Sequence, residues 1–255
     1  MTTRRGRAVI RWAYAFIDRP RARFPEAAAF WATVTGSRLS APRGASGEFV
    51  TLLPPGPADA CVKAQAVDGG PGGTHLDLAV DDIAATAAEA RALGAAPVHA
   101  EDGLEVLRSP AGLVFCVVPW SGETSRPAPL TAPDGTVSRL DQVCVDIPPE
   151  SYDTEITFWT TLTGWDSTPT TRPEFHRVTS PQSLPLRLLL QRLDTPGPVG
   201  AHLDLACSNP DATRTRHEQL GATYVSHGAS WLVMRDPAGI AYCLTGRDPE
   251  TGRLP

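Results

Sequence analysis

The sequence predicts an α+β protein built from two tandem domains, and three observations support this prediction. The stretch HLDLA that begins at His75 returns at His202, 127 residues later. An LGA triplet and an Arg-x-Pro-Ala-Gly motif farther along the chain return at the same offset. Strand-like and helix-like patterns alternate within each half. A repeat of this length is a domain-sized unit, longer than the repeats of solenoids or propellers, so the 255 residues divide into two related domains.

The first half is predicted to form seven strands and two helices. Aromatic and small side chains alternate from Val9 to Ile17, as in a strand that is covered on both faces. The helix from Pro25 to Thr35 has a proline in its first turn and a glycine as its stop. Pro110 and Gly112 suit the second and fourth positions of a type I turn. The remaining predicted elements are strands at 48–53, 60–67, 75–80, 97–99, 104–107 and 113–118, and a helix at 82–93.

A segment rich in Pro, Ser, Thr and Gly at 121–138 separates the halves and is predicted to be a linker. It places one domain at 8–120 and the other at 139–246, followed by a frayed tail. In both domains a Phe-Trp pair at helical spacing is expected in the core. The second half repeats the pattern of the first, with strands at 140–147, 175–179, 186–193, 201–206, 231–235 and 240–245, and helices at 152–162 and 211–220.

The composition indicates a cytoplasmic protein without a nucleic-acid or membrane partner. The net charge is −5 and the basic residues form no stripe, which argues against nucleic-acid binding. No apolar run reaches the roughly 18 residues that suggest a membrane span. The five cysteines form no CxxC pair and lie in apolar runs, as expected of reduced thiols in the cytoplasm. A monomer is expected because one chain holds both domains, with a homodimer as the alternative.

Two histidine–aspartate pairs lie on the repeated strand. Because side chains alternate along a strand, His75 and Asp77 share one face, and His202 and Asp204 repeat the arrangement. Such a pair suits a general base or a grip on a ligand hydroxyl, which makes His202 and Asp204 the candidate catalytic residues. The alternative is that these groups satisfy backbone atoms. The other histidines are expected in loops, edges or helix surfaces, without ligand-like spacing: His99, His176, His217 and His227.

The motifs together resemble the vicinal oxygen chelate superfamily, in its glyoxalase-like and bleomycin-resistance-protein-like branch. The resemblance rests on a Phe-Trp helix that ends in Thr-Gly, the HLDL strand, the LGA triplet and the closing sequence DPAGIAYCL at 236–244. It spans nearly the whole chain, twice. It implies four βαβββ modules that form two cupped eight-stranded sheets, each with a site on its concave face. Because one fold hosts many functions, the site must decide the function.

The resemblance also places the ligand positions of metal-dependent members on eight residues of this chain: Trp12, Gln65, His75, Cys116, Gln142, Gln191, His202 and Cys243. Indole and glutamine are poor cation ligands. Only His202 and Cys243 offer donors that zinc prefers, and two donors without a third make a poor site. We therefore expect no metal and no cofactor in either domain. The other interpretation of Cys243 is a buried thiol that packs as a small apolar side chain.

The two cups are expected to differ. Trp12, Tyr14 and Phe16 would share the concave face of the first domain, where their bulk favours core packing over stacking on a planar ligand. The matching positions of the second domain hold smaller, more polar residues: Gln142, Cys144 and Asp146. The second cup is therefore the expected open site. The candidate ligand-binding residues are Gln142, Gln191, His202 and Cys243 in the second cup and Trp12, Tyr14, Gln65 and His75 in the first.

These residues favour metal-independent binding, and possible sequestration, of a small planar metabolite or antibiotic, which the resemblance to resistance proteins implies. The alternative is an acid–base enzyme, such as an isomerase, a cyclase or a ring-opening enzyme, that uses His202 with Asp204 on a secondary metabolite. A metal-dependent lyase or dioxygenase is the third hypothesis. The partner in each case is a small-molecule ligand.

Overall fold

The computed structural model describes residues 9–254, and its first domain is one mixed sheet backed by two helices. Its strands are β1 (Ile10–Pro20), β2 (Arg38–Leu39), β3 (Phe49–Leu53), β4 (Val62–Val67), β5 (Gly73–Val80), β6 (Ala96–Glu101), β7 (Leu104–Arg108) and β8 (Val114–Pro119), and its helices are α1 (Phe24–Val34) and α2 (Ile83–Ala92). The strand order is β2-β3-β4-β1-β5-β8-β7-β6. The strand pairs β1–β4 and β5–β8 are parallel and all other neighbours are antiparallel.

The second domain repeats this architecture. Its strands are β9 (Leu130–Thr131), β10 (Val137–Ile147), β11 (Asp166–Pro169), β12 (Phe175–Thr179), β13 (Arg187–Arg192), β14 (Gly200–Cys207), β15 (Thr223–His227), β16 (Trp231–Arg235) and β17 (Ala241–Thr245), and its helices are α3 (Tyr152–Thr163) and α4 (Pro210–Gln219). The order β11-β12-β13-β10-β14-β17-β16-β15 matches the first sheet, and β9, inside the predicted linker, pairs with β10. Among residues 9–254, no helix is long and apolar enough to cross a membrane.

The predicted α+β fold of tandem cupped domains is confirmed. The strands that the sequence did not indicate are short or exposed. Strands β2 and β15, for example, have only exposed side chains, so no apolar alternation marks them. Two of the four helices in residues 9–254, α2 and α4, begin at a side-chain cap. Asp82 precedes α2 and accepts a hydrogen bond from the backbone N–H of Ala85 at 2.9 Å.

The two domains pack back to back, and each contributes its Phe-Trp helix to the other. Trp31 of α1 packs edge-on against Tyr242 of β17, with ring centroids 5.2 Å apart. The equivalent contact of the repeat joins Trp159 of α3 to Phe115 of β8, also at 5.2 Å. The Phe-Trp pairs are core residues, as predicted, but the core that they join is shared between the domains.

The polar groups behind these two contacts differ. The guanidinium of Arg19 donates to the carboxylate of Asp236 at 2.6 Å, and Trp31 Nε1 donates to the same carboxylate at 2.9 Å. In the other contact the acceptor is Glu155 on the helix, which binds Trp159 Nε1 at 2.7 Å and a first-domain backbone N–H at 2.8 Å. Glu155 is fully buried, and this burial raises its pKa. One contact therefore uses a buried ion pair, and the other uses a carboxyl group that has no ion-pair partner among residues 9–254.

His217 differs from its expected place on a helix surface. It is fully buried on α4, and its Nδ1 lies 2.8 Å from the hydroxyl of Tyr242. Burial lowers the pKa of His217 to about 3, so the ring is neutral at ordinary pH. The sequence did not reveal this burial because α4 is otherwise polar and the surface that covers it belongs to the other domain.

The tail after Gly246 is not frayed. The backbone oxygen of Gly252 accepts a hydrogen bond from Arg187 at 2.9 Å, and that of Glu250 accepts one from Arg139 at 2.9 Å. Asp248 closes a turn over these residues by accepting the backbone N–H of Thr251 at 2.7 Å. The tail is thus bound to the second domain by side chains distant in sequence.

Candidate functional site

The concave face of the second sheet contains an open cavity. The expected second-domain ligand residues line it together: Gln142, Gln191, His202 and Cys243. The lining also contains residues that sequence reasoning missed: Arg172, Phe175, Arg177, Arg187, Trp231 and Arg247. These come from β12, β13, β16 and loops outside the repeated motifs. Only their position in the folded sheet brings them to the cavity.

Strand pairing places the polar groups of the floor on one face. Strand β10 runs antiparallel to β14, so that Gln142 faces Asp204 and Cys144 faces His202. On the other side of β14, Asp204 lies in register with Cys243 of the parallel strand β17. Because side chains alternate along each strand, all of these groups point into the cup.

His202 lies between two carboxylates. Its Nδ1 is 2.8 Å from Asp146 Oδ2, and its Nε2 is 3.4 Å from Asp204 Oδ1. Burial alone would lower the pKa of His202, but Cys144 and the carboxylate of Asp146 outweigh this effect and raise the pKa well above its ordinary value. The carboxylate that orients the ring is therefore Asp146, on the neighbouring strand. The geometry favours a protonated ring, which is a hydrogen-bond donor or general acid rather than the expected general base.

The two carboxylate oxygens of Asp204 differ in their hydrogen bonding. Its Oδ2 accepts a hydrogen bond from Gln142 Nε2 at 2.5 Å. Its Oδ1 is buried and has no hydrogen-bond partner within the described part of the chain. Burial raises the pKa of Asp204 and of the Cys243 thiol. The floor of the cup is thus a buried cluster in which uptake of a proton is favoured.

The possible ligand atoms of this cluster bear on the prediction that no metal is bound. His202, Asp204 and Cys243 each offer one ligand atom, and these atoms lie within 4.8 Å of one another. The expectation of only two donors was therefore wrong, because Asp204 supplies a third. Imidazole, carboxylate and thiolate are a set that zinc accepts, and the orphan oxygen of Asp204 is an atom that a cation would satisfy. The donor atoms of the cluster are suitable for binding zinc. The same arrangement is also compatible with a protonated His202 and no metal.

The first domain repeats the cluster. His75 Nδ1 lies 2.6 Å from Asp18 Oδ2, and its Nε2 lies 3.7 Å from Asp77 Oδ1, which also has no hydrogen-bond partner in residues 9–254. Cys116 completes the set, at the position of Cys243. Burial lowers the pKa of His75, but the hydrogen bond to Asp18 and the charges of Asp18 and Asp77 together outweigh it, and the net pKa is raised. The Asp-His-Asp arrangement thus belongs to both copies.

The cup of the first domain is filled by its own side chains. Phe16 stacks on His75 with ring centroids 4.5 Å apart and an angle of 11°. Lys63 Nζ lies 3.7 Å from the centre of the Tyr14 ring, and the Tyr14 hydroxyl donates to Glu123 at 2.5 Å. Tyr14 and Phe16 are buried, as expected of core residues. At these positions the second domain holds the smaller Gln142, Cys144 and Leu189.

The correspondence between the cups differs from the expected one by two residues. Strand pairing matches Tyr14, Phe16 and Asp18 with Gln142, Cys144 and Asp146. Trp12 lies on β1 two residues before Tyr14 and is fully buried. Its Nε1 donates a hydrogen bond to the backbone oxygen of Ala60 at 2.9 Å. This burial does not agree with the expected ligand-binding role of Trp12. Gln65 lies in register with Asp18, as Gln191 does with Asp146.

Two aromatic rings form part of the rim of the second cup. Phe175 of β12 and Trp231 of β16 meet edge to face, with centroids 5.6 Å apart at 87°. The guanidinium carbon of Arg172 lies 5.2 Å from the centre of the Trp231 ring. Gly228 makes room for the indole, because a Cβ there would lie 2.1 Å from a ring atom. Both aromatic side chains are only half-buried, so the cup offers apolar surface above a polar floor.

Comparisons with known proteins agree with this architecture. The family model described as glyoxalase-like domain matches twice, at residues 15–118 and 142–245. No curated protein matches the chain.

Solved structures with the same fold include three enzymes with low sequence identity. A variant of 4-hydroxymandelate synthase from Streptomyces coelicolor has a TM-score of 0.58 and 15% identity, over 94% of this chain and 93% of that one. The 2,2',3-trihydroxybiphenyl 1,2-dioxygenase of Sphingomonas wittichii has a TM-score of 0.58 and 16% identity, over 94% and 93%. A variant of homoprotocatechuate 2,3-dioxygenase from Brevibacterium fuscum has a TM-score of 0.61 and 14% identity, over 98% and 75%. At this identity the similarity shows a common fold.

Proposed function

Because this chain belongs to the family of glyoxalase-like domains, we propose that its second domain binds a small planar molecule in its cup, without a metal ion. The observation that supports this most directly is the open cavity, which has half-buried aromatic rings at its rim and hydrogen-bonding groups at its floor. Ligand pockets in proteins commonly combine these features.

The rim favours a flat ligand. Phe175 and Trp231 present ring faces and edges to the cavity, and such surfaces gain contact area on planar molecules at a low entropic cost. At the floor, Gln142 and Gln191 provide amide groups, and a protonated His202 provides an N–H. A planar molecule with polar substituents at one end suits both parts.

A metal-free cup is supported by the position of His202 between two carboxylates. A protonated imidazole between Asp146 and Asp204 supplies the positive charge that these carboxylates need. While protonated, the ring has no lone pair for a metal. If zinc were held instead, His202, Asp204 and Cys243 would be its ligands, and the ion would supply Lewis acidity toward a bound oxygen atom.

The first test is the metal content of the purified, untagged protein by elemental analysis. We expect no stoichiometric metal. About one equivalent of zinc, iron, manganese or nickel per chain, lost in His202→Ala but kept in His75→Ala, would overturn the metal-free proposal. Zinc or nickel would favour a lyase, whereas iron or manganese would favour a dioxygenase, which needs a redox-active metal.

The second test is a fluorescence titration with the planar dye anilinonaphthalene sulfonate. We expect saturable binding that weakens by about tenfold in Trp231→Ala, since one large aromatic contact is lost. Trp120→Ala is the matched control, because Trp120 lies outside the cavity. Equal effects of the two substitutions would argue against binding in the second cup.

An acid–base enzyme is the second candidate, and one observation favours it. His202 has a raised pKa and lines the cavity, so it could protonate a ligand held there. Once a ligand is known, His202→Gln separates the candidates. In an enzyme this substitution abolishes turnover while most of the affinity remains, whereas a binding protein forms no product with either chain.

A further inference from the structure

A second cavity lies beside the cup of the second domain. It shares with the cup only Arg177, Arg187 and Gly252, so the tail segment around Gly252 forms part of the boundary between the two spaces. Five arginines line it: Arg126, Arg139, Arg177, Arg187 and Arg253. We call it the arginine cavity.

Positive charge in the arginine cavity exceeds the negative charge near it. Glu250 is the one carboxylate among its lining residues, and it is exposed. Asp141 lies behind the wall, 3.5 Å from Arg187 Nη2. Asp141 already accepts two hydrogen bonds from Arg247, at 2.9 and 2.7 Å. The neighbouring carboxylates therefore do not balance the five guanidinium groups.

Arg139 is the residue that most needs a partner. Only 7% of it is exposed, and among the described residues no carboxylate oxygen lies within 4.0 Å of it. Its Nη2 donates to the backbone oxygen of Glu250, but its buried Nε has no acceptor within residues 9–254. Burial and the nearby charge of Arg126 lower the pKa of Arg139. A buried charge without a counterion is costly, so the chain carries this group at the expense of stability.

The other arginines that line the cavity also lack full compensation of their charge. Arg187 is half-buried. Burial together with the charges of Arg247 and Arg126 outweighs Asp141 and lowers the pKa of Arg187. Arg177 is exposed, and its side chain makes no hydrogen bond or ion pair in the described part of the chain. Several guanidinium groups thus face the arginine cavity with N–H donors that have no acceptor among the described residues.

We propose that the arginine cavity binds a phosphate-bearing small molecule through its phosphoryl or pyrophosphoryl group, with Arg139 as the central contact. Guanidinium groups match phosphate oxygens in paired, charge-assisted hydrogen bonds, and a dianion neutralises more than one of them. The group comes either from a free phosphate or from a phosphate ester whose planar part lies in the adjoining cup. The free-phosphate case does not depend on the proposed function of the cup.

The test is isothermal titration of the full chain with pyrophosphate at constant ionic strength. We expect saturable binding that falls by about tenfold or more in Arg139→Gln, because one charge-assisted contact is lost. The double variant Arg177→Gln with Arg253→Gln should also weaken binding, and its exposed positions leave the fold intact even if Arg139→Gln does not fold. Arg38→Gln, on the exposed strand β2, is the matched control.

Two results would overturn the proposal: no binding of pyrophosphate or of a planar aryl phosphate to the wild-type chain, or an equal loss in Arg38→Gln. The two sources of phosphate are separated by Cys144→Phe, which is designed to fill the cup. If pyrophosphate binds equally well to this variant, the cavity takes a free phosphate. If only naphthyl phosphate binds, and both Arg139→Gln and Cys144→Phe abolish its binding, the ligand spans both spaces. Failure of planar binding alone leaves the pyrophosphate result unchanged.

Discussion

The two cups of this chain carry the same Asp-His-Asp-Cys cluster in different surroundings. In the first, Phe16 covers His75 and Lys63 lies over Tyr14, so that side chains occupy the concave face. In the second, the smaller residues at these positions leave an open cavity. Preservation of the cluster in the filled cup indicates that it contributes to the structure of the sheet. Access to it, rather than its presence, distinguishes the candidate site.

The backs of the domains show a second difference. Each Phe-Trp helix packs on the other domain in the same way, but the buried carboxylate comes from the Asp236 turn in one contact and from Glu155 of α3 in the other. Equivalent positions have thus diverged while the packing geometry has been kept. The polar groups of the two contacts can be tested separately.

The largest expected effect is on the buried ion pair. Arg19→Ile installs the residue that the second domain has at the matching position, Ile147, and leaves Asp236 buried without its cation. We expect the free energy of unfolding to fall by about 3–5 kcal/mol, measured by urea denaturation. Arg11→Ile, on the same strand, breaks an exposed pair with Asp81 and should cost no more than about 1 kcal/mol. Similar costs for both variants would contradict the importance of burial.

The next effect concerns the cups. Cys144→Phe places the first-domain residue in the second cup and should weaken binding of anilinonaphthalene sulfonate by about tenfold or more, since the cavity is then partly occupied. The reciprocal Phe16→Cys should leave this binding unchanged and reduce the free energy of unfolding by about 2–4 kcal/mol, because it removes a buried ring. Loss of dye binding in Phe16→Cys but not in Cys144→Phe would show that the dye binds in the first cup, and it would contradict the proposed site in the second.

The smallest expected effect is a change of folding stability with pH, and its sign is opposite for His202 and His217. The folded pKa of His202 is raised, so its stabilisation is complete below the unfolded value of about 6.5 and is lost as the pH rises through the folded pKa. His202→Gln should therefore cost more stability at pH 6 than at pH 9, by about 1 kcal/mol. His75→Gln should show the same sign.

For His217 the folded pKa is lowered to about 3. Its contribution is complete above the unfolded pKa of about 6.5 and is lost as the pH falls toward the folded value. Urea denaturation of His217→Gln should therefore show a smaller loss of stability on acidification than the wild-type chain. A steeper acid loss in the variant would contradict a neutral, buried His217.

The repeated motifs were enough to predict the fold and the four second-domain positions that line the cavity. The role of Asp146 was missed, because the pairing of His202 with a neighbouring strand depends on a register that no local pattern fixes. The alignment of the two cups was displaced by two residues for a related reason. A shift of two along a strand preserves which face each side chain occupies, so alternation does not detect it. The arginine cavity depends on tail contacts between residues distant in sequence, which periodicity does not reveal.

The reciprocal contact of the Phe-Trp helices has an evolutionary consequence. Because Trp31 meets Tyr242 as Trp159 meets Phe115, the same surface serves both sides, as in a dimer of identical subunits. A single-domain ancestor would bury this helix only against a second copy of itself, and every mutation would then occur on both sides at once. Fusion of the two genes removes this constraint. Each copy can then change alone, which is the condition under which one cup is filled while the other stays open.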